Sequence, residues 1–296
     1  MRSWPSGLLA EIMLTTPEII TLFSSSIIFI YGLYASVLYA IGGAREREEA
    51  RHTLYRALIA GLLFAAVMLS TALVGFGVRG FLEAVEAAAA ETGSKPLQPY
   101  CLKYFDLAPS FNIDVYFAAG ARALECSAKT FSEKFSRYVD AYSTIFSATT
   151  ITGLAGVTSP LSMSLFQVAM PFSGAANGAM LSLATAYAAS LLAIGLLALA
   201  GLAAVLIAIE RLELLGAVIA AFNMAMPPAL AAYADYVREV EVTSFGYPIL
   251  YGAVLNAVVP AANIAAAAAL AFTMASAVTA AITYAFTKIP ERISVE

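Results

Sequence analysis

Uncharged apolar runs long enough to cross a bilayer recur along almost the whole chain, and nothing else in it limits the fold as strongly. The longest extend from Ile19 to Ala44, from Ala141 to Ile209, from Leu214 to Ala234 and from Val242 to Thr287. Of the 296 residues 61% are hydrophobic and only 12% are charged, more apolar surface than a soluble core of that size can hide. A bilayer accepts it, at about 20 residues per helix. The runs are continuous rather than alternating, which excludes a membrane β-barrel. The sequence therefore predicts an all-α fold, a polytopic transmembrane helix bundle of about six to seven spans with one large extracytoplasmic helical loop.

The chain divides into an N-terminal segment with the first helix hairpin (1–78), the loop (79–140) and a C-terminal membrane bundle (141–296). Arg2, Trp4, Pro5, Glu11 and Glu18 precede the first long run, unlike a cleavable signal peptide, so that run is expected to be retained. Membrane helices are expected near Ile19–Ile41 and Leu58–Val78. The short connection Gly42–Arg56 carries Arg45, Arg47, Arg51 and Arg56. Basic residues in short loops set orientation, so this connection should be cytoplasmic despite Glu46, Glu48 and Glu49. The N-terminus and the stretch Arg79–Asp140 are then outside.

Seven of the 16 basic residues fall in Arg79–Asp140, with eight acidic ones, so this loop is solvated and nearly neutral. It should extend the second helix over Phe81–Glu91 and turn at Gly93–Pro96. An aromatic patch follows: Tyr100, Tyr104, Phe105, Phe111, Tyr116 and Phe117. Val115–Asp140 reads as a helix, with Glu125/Lys129 and Glu133/Arg137 at i,i+4 spacing, the pattern of a wet helix face. Both cysteines of the chain, Cys101 and Cys126, lie in this one loop and in none of the apolar runs. On an oxidising face they could form a disulfide contributing about 3 kcal/mol; the alternative is two unrelated thiols.

Beyond it, Tyr142–Met170 is apolar, rich in Ser, Thr and Gly, and ends at Pro171. Gly174–Gly178 suits either a tight turn or a close helix contact. Met180–Ile209 is the cleanest membrane helix. After the charged break Glu210–Glu213, Leu214–Ala234 holds Asn223 and Pro227-Pro228, so it can span, kink or re-enter. Asp235, Arg238, Glu239 and Glu241 form a charged connection. Ile249–Phe286 is long enough for two spans split around Asn263–Ala269. The tail with Lys288 and Arg292 is expected inside if Leu214–Ala234 crosses.

Net charge is only −4, which gives no field to recruit nucleic acid. The single histidine, His52, stands in the charged connection and cannot build a metal or proton-relay site. The clean spans carry no Asp, Glu, Lys or Arg between their ends, and no HExxH, GxSxG or P-loop motif occurs, so neither catalysis nor ion coupling is expected. No catalytic, cofactor-binding or metal-ligating residue is assigned. Asn177, Asn223, Asn256 and Asn263 are expected to make helix-to-helix hydrogen bonds, with a conduction path as the competing role.

The order of elements resembles the polytopic inner-membrane subunit of type IV secretion systems, the TrbL-like family, with its archaeal DNA-import branch of the CedA type. The shared layout is an outside N-terminus, two helices joined by a basic cytoplasmic loop, one large outside loop and an apolar C-terminal half. Locally, Ala208–Leu215 (AIERLELL) followed by Ala225–Leu230 (AMPPAL) is similar to the family's helix, arginine and proline-containing apolar run. The resemblance implies a cell-membrane channel subunit of a DNA translocation machine, assembled as a homo-oligomer in membrane lipid. It implies as partners a separate ATPase, small pilin-like membrane proteins and transiently bound, translocated DNA read without sequence specificity. A small-solute transporter or channel is the alternative, and an anchor for a surface filament a third reading.

Overall fold

The computed structural model describes residues 28–55, 99–105, 113–154, 160–197, 212–240 and 250–293, with isolated positions between them. Every regular element among the described residues is helical. We number them α1 (Ile28–Ile41), α2 (44–55), the 3-10 turn η1 (Leu102–Phe105), α3 (Ile113–Leu154), α4 (Pro160–Leu197), α5 (Glu213–Glu239) and α6 (Leu250–Ile293).

Three of these helices are long and apolar enough to cross a membrane, over Phe172–Leu197, Leu214–Glu239 and Val258–Tyr284. The second expected span, Leu58–Val78, lies almost wholly outside the described residues, as do the turn at Gly93–Pro96 and most of Phe81–Glu91. Leu214–Ala234 is one continuous helix, unbroken at Pro227 and Pro228. Ile249–Phe286 does not split: α6 is a single helix through Asn263–Ala269, because that alanine-rich stretch is itself a strong helix former. Nor does Gly174–Gly178 turn. It lies inside α4, which also runs through Pro171, and Gly178 faces α6, where an added Cβ would stand at ordinary contact distance, 3.9 Å, from the Ala265 Cβ. The division at Asp140 falls inside α3, which continues unbroken to Leu154.

Helix α5 is the hub. More than half of its apolar window is buried, against 28% for that of α4 and 17% for that of α6. Tyr233 ties it to two neighbours, its hydroxyl lying 3.2 Å from the Ile264 carbonyl of α6 and 3.5 Å from the Ser182 hydroxyl of α4. Asn223 makes the expected interhelical bond, its Nδ2 donating to the Leu196 carbonyl at 2.9 Å near the end of α4. Asn177 and Asn263 are exposed, and the side chain of Asn256 lies outside the described ones. These contacts set α4 and α6 antiparallel to α5. By contrast α3 runs parallel to it: Tyr116 meets Met224, Gly120 approaches Pro227, and the rings of Phe131 and Tyr233 lie 5.1 Å apart.

The prolines of α5 explain one of those contacts. Pro228 has no N–H to offer the Met224 carbonyl four residues earlier. The hydroxyl of Tyr116, buried on α3, donates to that carbonyl at 3.2 Å. A carbonyl stripped of its helical partner is costly inside a bilayer, and here a neighbouring helix serves it.

At the opposite end of the chain, the basic connection is a helical corner. Gly42 closes α1 through its N–H to the Leu38 carbonyl, and a Cβ there would lie 2.5 Å from that oxygen. Glu46 reaches back to the Gly43 N–H at 2.7 Å, the acidic half of a capping box that starts α2.

Candidate functional site at the bundle rim

Asp235 is the least expected residue of the molecule. The sequence places it in a charged connection; it stands instead within the last turns of α5, only 2% exposed. Its Oδ1 accepts the Cys101 N–H at 2.7 Å, and its Oδ2 accepts those of Tyr100 at 3.1 Å and Leu102 at 3.0 Å. One carboxylate thus satisfies the N–H groups at the start of η1, as an N-cap side chain does for its own helix, but from 133 to 135 residues away. No local sequence signal could have paired them.

The structure joins Cys101 and Cys126 in a disulfide, with Cα atoms 5.5 Å apart. The bridge ties η1 to α3 beside the Asp235 clamp, and the aromatic patch folds in beneath it. Phe105 packs on Tyr116 at 5.7 Å and Tyr116 on Phe117 at 6.1 Å, all three buried. Tyr104 is half-buried and Tyr100 stays exposed, while Phe111 lies outside the described residues.

Tyr100 is exposed for a reason visible in its neighbours. The Arg238 guanidinium lies 3.6 Å from the centre of its ring and the Lys103 ammonium 4.9 Å, cation–π contacts with a ring whose own backbone is clamped by Asp235. Beside this stack opens a cleft of about 280 Å³ between α3, Tyr100 ahead of η1, and the end of α5. Lys129, Thr130, Glu133, Lys134 and Arg137 of α3 line it together with Tyr100 and Arg238. Lys134 is 7% exposed and donates to the Val240 carbonyl just past α5.

The outer face of α3 carries charge of alternating sign: Arg122, Glu125, Lys129, Glu133, Arg137 and Asp140 are all exposed. The i,i+4 pairs expected there are present in register but do not close into ion pairs, unlike Arg79 and Glu83 at 3.1 Å. Arg122 and Glu125 fall between Gly120, which approaches Pro227, and Phe131, which packs on Tyr233. They therefore stand level with the uncharged part of α5, not beyond its end.

A second, apolar groove of about 500 Å³ lies between the other end of α5 and α6, lined chiefly by Leu214, Val218, Phe222, Met226 and Tyr284. Among the described residues no three His, Cys, Asp or Glu side chains gather as metal ligands, and His52 is exposed on α2. No protein-family profile matches the chain, nor does any curated protein or solved structure.

Proposed function

We propose that this chain is a membrane channel subunit of a type IV secretion-like DNA translocation machine, with the charged face of α3 on its aqueous path. The observation that carries the reading is the level of Arg122 and Glu125. From Glu213 to Asp235 α5 is free of charge for about 33 Å, the thickness of a hydrocarbon core. A charged side chain facing lipid costs about 2.5–3.5 kcal/mol at the middle of that interval on insertion scales, and less at the level of Arg122 and Glu125, nearer its Asp235 end. Two exposed charges on α3 within it are best served by water. Lipid suits the other faces, where α4 exposes Leu181 and Leu192 and α6 exposes Leu270 and Met274.

A single bundle with one wet face and several apolar ones closes a conduit when copies assemble with the wet faces inward, so the working form is a homo-oligomer. The alternation of sign suits passage of a polyanion, since no run of cations is there to hold its phosphates. The resemblance to the TrbL-like family adds the substrate, DNA, and the partners, a separate ATPase and small pilin-like proteins.

The orientation we propose rests on the basic α2 corner, which should be cytoplasmic. The rim with Asp235 and the disulfide faces outside, and Glu210–Glu213 and the α2 corner face the cytoplasm. The unbroken α6 makes one crossing where the sequence allows two. With Ile19–Ile41, Leu58–Val78, α4, α5 and α6 crossing, and α3 rising from the level of the uncharged part of α5 to the outer rim without crossing, N- and C-termini fall outside and inside respectively.

Cysteines introduced singly at Glu48, Glu125 and Leu270, beside the oxidised native pair, test this in cells with a membrane-impermeant thiol reagent. Position 125 should react from outside and its modification should lower DNA transfer, while 48 and 270 stay protected. Protection at 125 with reaction at 48 overturns the topology, and undiminished DNA transfer by cells lacking the chain overturns the function.

A further inference from the structure

The geometry points to the rim cleft as a binding site for a single phosphate group, carried by an anionic lipid headgroup or by a small soluble phosphate ester. Four cations line it, Lys129, Lys134, Arg137 and Arg238, against one carboxylate, Glu133. This imbalance occurs nowhere else on α3, where Arg122 is answered by Glu125. Asp235 and Glu239 also stand near Arg238, but neither lines the cleft, and Asp235 has both oxygens engaged by the backbone of residues 100–102.

Two of the cations, Arg238 and Lys134, are held before any ligand arrives. Arg238 stacks on Tyr100, whose N–H is fixed to Asp235; Lys134 is anchored on the Val240 carbonyl; and Lys129 and Arg137 project from the rigid helix that the disulfide braces. Preorganisation removes much of the entropy that immobilising long side chains would cost on binding. Arginine forks match the oxygens of a phosphate bidentately, and lysine adds a point charge. Gathering four like charges is itself unfavourable, and a bound anion relieves the repulsion.

Size and place select the ligand. A cleft of about 280 Å³ admits a phosphate with a short ester but not a stacked run of nucleotides. It opens beside Arg238, where the apolar window of α5 ends, so lipid phosphates stand at its mouth if α5 crosses a bilayer. A DNA strand would need successive cations along its path, and beyond the cleft α3 offers Glu125 and Asp140 instead. The inference needs α5 to span, not the chain to move DNA.

The test uses the purified, oxidised full chain. In detergent, inorganic phosphate should raise the thermal midpoint above that in chloride at equal ionic strength. Native mass spectrometry from phosphatidylcholine with and without phosphatidylglycerol should then tell the sources apart. One retained phosphatidylglycerol per chain assigns the headgroup; a phosphate shift without lipid retention assigns the soluble ester. Lys129→Gln with Arg137→Gln, both exposed positions, should keep the midpoint in chloride yet weaken either ligand about tenfold or more. Equal midpoints in phosphate and chloride with no lipid retained overturn the proposal. So does unchanged binding in the double variant, or binding confined to a single-stranded oligonucleotide.

Discussion

Helices α3 and α6 are nearly the same length, 42 and 44 residues, and both lie along α5, yet they present opposite surfaces. Over the interval level with the uncharged part of α5, α6 exposes Leu270, Met274 and Val278, whereas α3 exposes Arg122 and Glu125. Both bury apolar residues inward: Ala261, Ile264 and Ala268 on α6, and Ala123, Leu124 and Phe131 on α3. The inner faces are thus alike and only the outer ones differ. Helix length and packing do not separate these two helices; the outward stripe alone does, and on the proposed reading it marks α6 for lipid and α3 for water.

The sharpest way to break that contrast is to exchange the stripes. Leu270→Asp puts a carboxylate on the face assigned to lipid and should cost about 3 kcal/mol or more of insertion and stability, seen as loss of membrane-integrated, monodisperse protein. Arg122→Leu on α3 should leave yield within the range of ordinary surface changes, about 0.5 kcal/mol. If the two variants suffered alike, α3 and α6 would face one solvent and the conduit would have no wall.

Asp235 and the disulfide provide the next largest effect, and it is confined to the α3 side. Asp235→Ala removes the acceptor for three buried or half-buried N–H groups and should destabilise the rim by about 3 kcal/mol. Cys101→Ser releases the same segment by another route, at a similar cost. Because both changes free η1, the double variant should cost clearly less than the two single costs added. Limited proteolysis near residue 100 should accelerate in each variant while α4–α6 stay protected. Full additivity, or collapse of the whole bundle, would show that the clamp and the bridge do not act on one local unit. Alkylation of the untreated protein should find no free thiol.

The all-helical fold, with helices long and apolar enough to cross a membrane, was legible because apolar runs and charge breaks are one-dimensional signals. The cysteine pairing was legible because only two cysteines share one loop. Helix continuity was misjudged at Asn263–Ala269 and left open at Gly174–Gly178, where turn-prone or polar residues sit in alanine-rich surroundings that sustain a helix once neighbours pack on it. Asp235 was read as a linker charge because its partners lie more than 130 residues away. The rim cleft escaped for a similar reason. Counted over Arg79–Asp140 the charges nearly cancel, and only folding brings Arg238 to Lys129, Lys134 and Arg137.

The smallest expected effect tests how the buried side of α3 serves α5. Pro228 denies the Met224 carbonyl its helical donor, and Tyr116 donates to it from across the interface. Tyr116→Phe should therefore cost about 1 kcal/mol, the net value of one hydrogen bond, with the ring and its packing on Phe105 retained. Pro228→Ala supplies an N–H four residues after Met224, so in that background the carbonyl has its own helix to turn to. There Tyr116→Phe should cost appreciably less, and the difference between the two costs measures the coupling. Thermal unfolding of the four variants in one detergent gives all the terms. Equal cost of Tyr116→Phe in both backgrounds would mean that the tyrosine acts through its ring alone and that the proline's missing donor is compensated elsewhere.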